Sequence, residues 1–267
     1  MSKLSETRVS CIGSGIMGGV LVRRLIGAGA VPASQITAAD PDGAKLQALA
    51  EELGVATSGS NPAATAGADV VLLAPPPPAI VPVLSEIASV LRPGALVISF
   101  APGANLATMR CAAPDGVFLA RVMPNTPTEV GSGMNAFVCE TSISPEARSL
   151  LQEMLGVWGC SIEIEESQLN ACCALLAVGP TYLFPLVGQL IESAQAAGLS
   201  AEQARLATAR LFLGVGAIVE QTDRTPEALQ SMISMQPMDA PAACKLVGDA
   251  YCGVLGKLNE VQAKLSG

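Results

Sequence analysis

Residues 8–19 read RVSCIGSGIMGG. The apolar positions Val9, Cys11 and Ile12 predict a buried strand, and Gly13, Gly15 and Gly18 follow it at G-x-G-x-x-G spacing. Each glycine has its own reason: the first permits a tight turn, the second lets backbone approach a pyrophosphate, and the third lets the next helix lie close to the strand. Beyond them Met17, Val20, Leu21, Leu25 and Ala28 recur at helical spacing. The N–H groups and positive dipole end at the start of that helix suit a phosphate. Asp40 closes a second apolar run at 36–39, about twenty residues past the glycines, where a carboxylate meets ribose hydroxyls. The stretch predicts a dinucleotide site.

Outward from this loop, strand and helix signals alternate to about residue 122. Leu46, Leu49, Ala50 and Leu53 share a helix face ended by Gly54, Asn61-Pro62 is expected to cap a short helix, and 70–73 reads as a buried strand stopped by the prolines at 75–78. Leu84, Ile87, Ala88 and Leu91 form another helix face closed by Pro93-Gly94, with further strands at 96–100 and 117–122. Such alternation predicts an α/β fold: an N-terminal Rossmann-type doubly wound sheet with ligands at the carboxyl ends of its strands. Those ends are 13–18, Asp40, 74–78, 101–103 and 123–127. Shorter strands near 136–139 and 160–164, separated by a helix that Ser144-Pro145 opens, are expected to extend the sheet.

From Ser167 onward no strand is predicted. Helices are expected over 167–197 with Gly198 as the stop, from Ser200 with Gln203 completing a capping box, and over about 240–264. The last of these aligns Val247, Tyr251, Val254, Leu258 and Val261 on one stripe. The expected division is a dinucleotide-binding domain at 1–165 and an all-helical C-terminal dimerisation and substrate domain at 166–267. A helical half this apolar needs a partner to bury it, most simply a second copy.

Composition narrows the function. The 267 residues carry a formal net charge of −8 with 15 Lys plus Arg and no basic block, which argues against nucleic acid and anionic membrane surfaces. Eight cysteines form no C-x-x-C pair, so neither zinc nor a disulfide framework is expected, and a reducing cytoplasm is. Histidine is absent, which removes His-based acid/base chemistry and most transition-metal sites. No signal peptide is read at the N-terminus. The charge-free run 168–191 is long enough to span a bilayer, but Gly179, Pro180, Pro185 and Gly188 interrupt it, and it is read as a buried helix.

Residues 121–133, RVMPNTPTEVGSG, carry the most specific string in the chain. It resembles the RVMPNTP segment of pyrroline-5-carboxylate reductases, which reduce a cyclic imine to proline with a nicotinamide cofactor. IGSGIMG near the start, LVISFAPG at 96–103, GPTY at 179–182 and GLSAEQA at 198–204 fall in the same order as in that family. The resemblance implies a homodimeric, cytoplasmic oxidoreductase of proline biosynthesis whose small-molecule substrate is an imine. It places Gly13, Ser14, Gly15, Ile16 and Met17 at the pyrophosphate, and Ala74, Pro75, Gly103, Met123, Pro124 and Asn125 on the nicotinamide side. The cofactor is NAD or NADP. Asp40 tilts the expectation toward NAD, with Asp42 adding charge nearby and Lys45 and Arg23 the cations nearest a 2′-phosphate.

Three stretches depart from the family pattern. Pro76-Pro77 replaces a Lys-Pro pair, and 176–182, LAVGPTY, replaces SGSGPAY on the long helix. At 234–240, SMQPMDA replaces TSPGGTT, the loop that in the family cradles the substrate carboxylate and brings a threonine hydroxyl near the ring nitrogen. Pro237 offers no N–H and Met238 lacks glycine's freedom, so an acid cradle is weakened there. Asp239, Thr181 and Tyr182 are the candidate catalytic residues, Asp239 either pairing with a cationic iminium or capping the last helix. Two alternatives stand beside the main reading: the same hydride chemistry on a different cyclic imine, and a non-catalytic dinucleotide-binding dimer. A hydroxyacid dehydrogenase is disfavoured, because that chemistry needs a lysine on the long helix and none lies between Lys45 and Lys245.

Overall fold

The computed structural model describes residues 3–266. Its strands are β1 (Val9–Ile12), β2 (Ile36–Ala39), β3 (Ala56–Ser58), β4 (Val70–Leu73), β5 (Leu96–Ser99), β6 (Phe118–Met123), β7 (Gly133–Cys139) and β8 (Gly159–Glu163). They form one sheet in the order β3-β2-β1-β4-β5-β6-β7-β8, parallel throughout except where β7 runs antiparallel to β6 with Ala136 opposite Met123. The chain starts at β1, winds outward through β2 and β3, then returns to β4 on the other side of β1. That reversal opens a crevice beyond the carboxyl ends of β1 and β4, where ligands of doubly wound sheets bind.

Both sheet faces are covered, which is why β1, β4 and β5 are buried along their whole length and read as continuous apolar runs. Residues alternate between two cores with the period of a strand. Val9, Cys11, Val70 and Leu72 join one with α1 (Ile16–Gly27), α2 (Gly43–Leu53) and, from later in the chain, Leu151, Met154 and Trp158. Ile12, Val71 and Leu73 join the other with α3 (Asn61–Thr65), α4 (Ile80–Ile87) and α5 (Leu106–Ala112). Trp158 ends α6 (Pro145–Trp158), crosses the Phe100 ring edge-on at 5.6 Å and donates from Nε1 to the Leu21 carbonyl at 3.3 Å.

The helix ends follow capping chemistry. Asp42 caps α2 by accepting from the Ala44 and Lys45 N–H groups, Gly54 closes that helix at φ 72°, and Ser144 caps α6. The cap of α3 is Ser60, whose hydroxyl accepts from Ala63 N. Asn61 and Pro62 are already inside the helix, contrary to the expected cap. β3 and α5 were not foreseen.

The uninterrupted helix expected over 167–197 is broken into pieces. A 3-10 turn (Glu166–Gln168) leads into α7 (Leu169–Cys172), a π-helical turn (Cys173–Ala177) and α8 (Pro180–Ala196). Pro180 has no N–H to give the preceding turn, so the ladder cannot run through it. α9 (Ala201–Gln221) opens with the Ser200–Gln203 capping box, α10 (Pro226–Gln230) was not foreseen, and α11 (Ala240–Ser266) completes the chain. No strand follows Glu163 among the described residues.

Compact packing divides the chain into residues Met1–Val178 with Val254–Gly267, and residues Gly179–Gly253. This division differs from the sequence boundary at 165/166, because α7 and the end of α11 pack with the sheet. Leu258 lies against Met123, Leu169 and Cys173, and the buried Asn170 donates to Asn259 and Gln262. In the second unit α8 packs on α9, and Leu183, Phe184, Leu186 and Leu190 remain exposed. By length and composition alone, Glu166–Ala196 passes as a membrane span, with 11% of its apolar stretch buried; none of the residues of α8 is buried, contrary to the buried helix expected over 168–191, because α8 packs chiefly on α9 among the elements of its unit.

Candidate functional site

A cavity of about 620 Å³ lies beyond the carboxyl ends of β1, β2 and β4, lined among others by Gly13, Gly15, Asp40, Lys45, Ala74 and Pro75. Gly13 sits at φ 94° with its N–H on the Ala39 carbonyl at 2.8 Å. A Cβ there would lie 2.6 Å from the Ala74 carbonyl carbon and 2.7 Å from Pro75 N, so the glycine is demanded twice over. At Gly18 a Cβ would meet the Gly13 carbonyl oxygen at 2.0 Å. Gly15 is different: nothing lies within 4 Å of its Cβ position. The fold itself does not need a glycine there, whereas a close-lying phosphate does.

Gly15 is also the N-cap of α1, which has no side-chain cap and no acidic residue in its first turn. The leading N–H groups of the helix are therefore left without a capping side chain at the loop. Ser14 donates its N–H to Asp40 Oδ2 at 2.7 Å while its buried hydroxyl has no partner. Asp40 Oδ1 accepts from Asp42 N at 2.9 Å, so this carboxylate brackets the glycine loop to the β2–α2 turn. Beneath the loop the Cys11 thiol is pushed up to about 12, by burial first and by the Asp40 charge second, and stays a neutral filler. Of the two cations near the ribose end, Arg23 is held in a two-pronged pair with Glu52 at 2.6 and 2.7 Å, and Lys45 lines the cavity, 3.7 Å from Asp42. The cradle, the uncapped helix start and the unpartnered hydroxyl fit a nicotinamide dinucleotide.

Gly103 lies past β5, Met123 ends β6 with Pro124 and Asn125 just beyond it, and none of the four lines this cavity. Gly103 takes φ 100°, and Asn105 two residues on caps α5 by accepting from Thr108 N at 2.7 Å. Met123 is buried against Leu169 and Cys173. Asn125 accepts from Met134 N at 2.9 Å and so braces the proline turn against β7. Ile16 is exposed, and Met17 packs on the first core. In the second unit Thr181 and Tyr182 stand in the first turn of α8. Asp239 caps α11, its Oδ1 accepting from Ala242 N at 3.1 Å, within a loop exposed from 231 to 239. Sequence reasoning missed Arg121 and Glu166, which pair beside Ala101 with the guanidinium buried and the carboxylate partly exposed. The only signal was one arginine in the apolar strand FLARVM.

Residues 8–103 match the family model described as NADP oxidoreductase coenzyme F420-dependent, and residues 166–237 match that of pyrroline-5-carboxylate reductase dimerisation. A pyrroline-5-carboxylate reductase from Corynebacterium melassecola is 32% identical over 231 residues, 85% of each chain. The chain belongs to the pyrroline-5-carboxylate reductase family. That family consists of NAD(P)-dependent oxidoreductases acting on a C=N bond. A Pseudomonas aeruginosa member is 29% identical over 91% of this chain and 89% of its own. The fold agrees: Plasmodium falciparum pyrroline carboxylate reductase, solved with NADP bound, superimposes with a TM-score of 0.84 at 19% identity over 97% of this chain and 99% of that one. The Coxiella burnetii enzyme gives 0.76 at 26% identity, over 96% and 98%.

Proposed function

We propose that the protein is a cytoplasmic homodimer that reduces the C=N bond of a small cyclic imine with NAD(P)H, pyrroline-5-carboxylate being the reference substrate. The observation that supports this most is the cradle around Gly13 and Gly15, at the strand ends of a chain whose family acts on such bonds. The nicotinamide, when bound, supplies the hydride. The chain's part is to hold and orient: Gly13 to Met17 and the start of α1 take the pyrophosphate, Ala74, Pro75, Gly103, Met123, Pro124 and Asn125 flank the nicotinamide, and Asp40 takes the adenosine ribose. That carboxylate favours NAD, since it repels a 2′-phosphate.

With no histidine in the chain, the electrophile is an imine already protonated in solution. Thr181 and Tyr182 offer hydroxyls to its ring nitrogen, and Asp239 supplies a negative charge that stabilises the iminium. Residues 166–267 serve as the dimerisation and substrate domain. The match to a dimerisation model and the exposed Leu183 and Phe184 favour the homodimer.

A second reading is carried by 234–240, where SMQPMDA lacks both glycines of an acid cradle. On that reading the substrate is a cyclic imine with little or no acid character. The experiment is NADH and NADPH oxidation with cyclic imines that do and do not carry a carboxylate. Fast turnover of pyrroline-5-carboxylate supports the reference substrate, preference for the uncarboxylated rings supports the second reading, and no turnover of any ring defeats both.

A further inference from the structure

Arg121 is the one charged residue among those buried in the described chain, at 2% exposure. Its Nη1 donates to Glu166 Oε1, its Nη2 donates to the Ala101 carbonyl at 3.2 Å, and its Nε has no partner. Both Glu166 oxygens lie 3.3 Å from Leu106 N, in the first turn of α5. One ion pair thus closes a ring through β6, the segment after β5, the start of α5 and the turn that opens the helical half of the sequence. Inside the ring lie residues 101–106, with Gly103 at φ 100° and the α5 cap Asn105.

For stability alone this is a poor arrangement. A desolvated guanidinium with an orphan N–H costs more than a well-packed apolar side chain of similar size. What the ring does provide is geometry: a planar fork reaching a carbonyl and a carboxylate at once, which an ammonium cannot imitate. None of the ring's residues lines the 620 Å³ cavity at Gly13, Asp40 and Lys45.

We propose that Arg121 and Glu166 are positioning residues that hold segment 101–105 in the shape that receives the nicotinamide half of the cofactor, without acting on the adenosine half. The proposal rests on the reading above that Gly103 flanks the nicotinamide.

The test uses the full chain and two probes: NADH or NADPH for the whole dinucleotide, and ADP for the adenosine half. In Arg121→Met and Glu166→Gln, dinucleotide affinity falls about tenfold or more, kcat falls with it, and ADP affinity stays within about twofold, as misplacement remote from the chemistry predicts. Arg121→Lys recovers only part of the loss. The double variant Arg121→Met/Glu166→Gln, which removes both charges, melts no lower than the parent and shows the same selective loss; should Arg121→Met alone fail to fold, the double variant decides. A merely structural pair weakens both ligands in parallel or neither, and either result overturns the proposal. A parent chain that binds dinucleotide no tighter than ADP overturns the nicotinamide reading of this segment and the proposal with it, an outcome distinct from a parent that discriminates and variants that do not.

Discussion

The glycine loop at 13–18 and the loop at 231–239 are fastened in opposite ways. The first is pinned by the protein's own backbone: a Cβ at Gly13 or Gly18 would strike carbonyl groups at 2.6 or 2.0 Å, and the Asp40 carboxylate holds Ser14 N at 2.7 Å. The second is exposed at every position, and its hydrogen bonds are local, from Gln236 back to the Gln230 and Ile233 carbonyls and from Ala242 to Asp239. One region is specified by long-range packing of the chain on itself, the other by bonds within its own segment. The glycine loop is therefore fixed by geometry within one chain, and residue type at 231–239 is free of that constraint.

The widest separation between the two regions is expected from glycine substitutions. Gly13→Ala forces a left-handed residue and an overpacked contact, at a cost of about 2–4 kcal/mol in urea unfolding, with loss of dinucleotide binding. Gly15→Ala, with open space around it, costs about 1 kcal/mol or less. It still weakens dinucleotide binding, because the added methyl stands where the phosphate approaches. Equal destabilisation by the two would break the distinction drawn here.

The exposed apolar face of the second unit gives the next largest effect. Phe184→Glu converts a dimer at micromolar concentration into a monomer in sedimentation, and a parent chain that sediments as a folded monomer contradicts the homodimer. Cofactor choice comes third. NADH should exceed NADPH by about tenfold, or about 1.4 kcal/mol. The reverse preference would mean that Lys45, which shares the cavity with Asp40, decides the matter.

At the exposed loop, Asp239→Ala costs about 1 kcal/mol as a lost helix cap, and so does Ser200→Ala at the start of α9. Asp239→Asn separates cap from charge, since asparagine caps equally well. The expected result is an unchanged Tm with reduced turnover; unchanged turnover leaves Asp239 as a cap alone.

The smallest effect is the response to pH. With no histidine in the chain, unfolding free energy stays flat between about pH 6 and 7.5, so any change of turnover in that window belongs to the imine. Glu52 and Glu163 are held below the usual carboxylate value by hydrogen bonds from Arg23 and Arg148. Lowered folded-state values mean that their support is full above the unfolded value and is lost as pH falls through the folded one. Urea titrations from neutral to acid pH should show the decline only on the acid side.

Much of this contrast was legible in the sequence. The strands at 36–39 and 70–73 emerged residue for residue, because a sheet covered on both faces writes itself as continuous apolar runs. β3 did not, being a three-residue edge strand, Ala56, Thr57 and Ser58, with no apolar alternation. Ser60 and Asn61 are both good caps, and pattern alone chose the wrong one. The break at 173–180 was marked only by Gly179 and Pro180, since the apolar run before them has no periodicity to lose. At the site, the glycines and Asp40 were readable from spacing. The Arg121–Glu166 pair was not, since nothing in an isolated arginine tells which carboxylate 45 positions later will meet it.

The most direct test of the central claim is isotopic. NADH or NADPH deuterated at the transferable position is incubated with the protein and a cyclic imine, and the ring product is weighed by mass spectrometry. The account predicts a cyclic amine carrying deuterium on the former imine carbon, in step with cofactor oxidation. Oxidation without deuterium in the amine, or no oxidation with any cyclic imine, would contradict it.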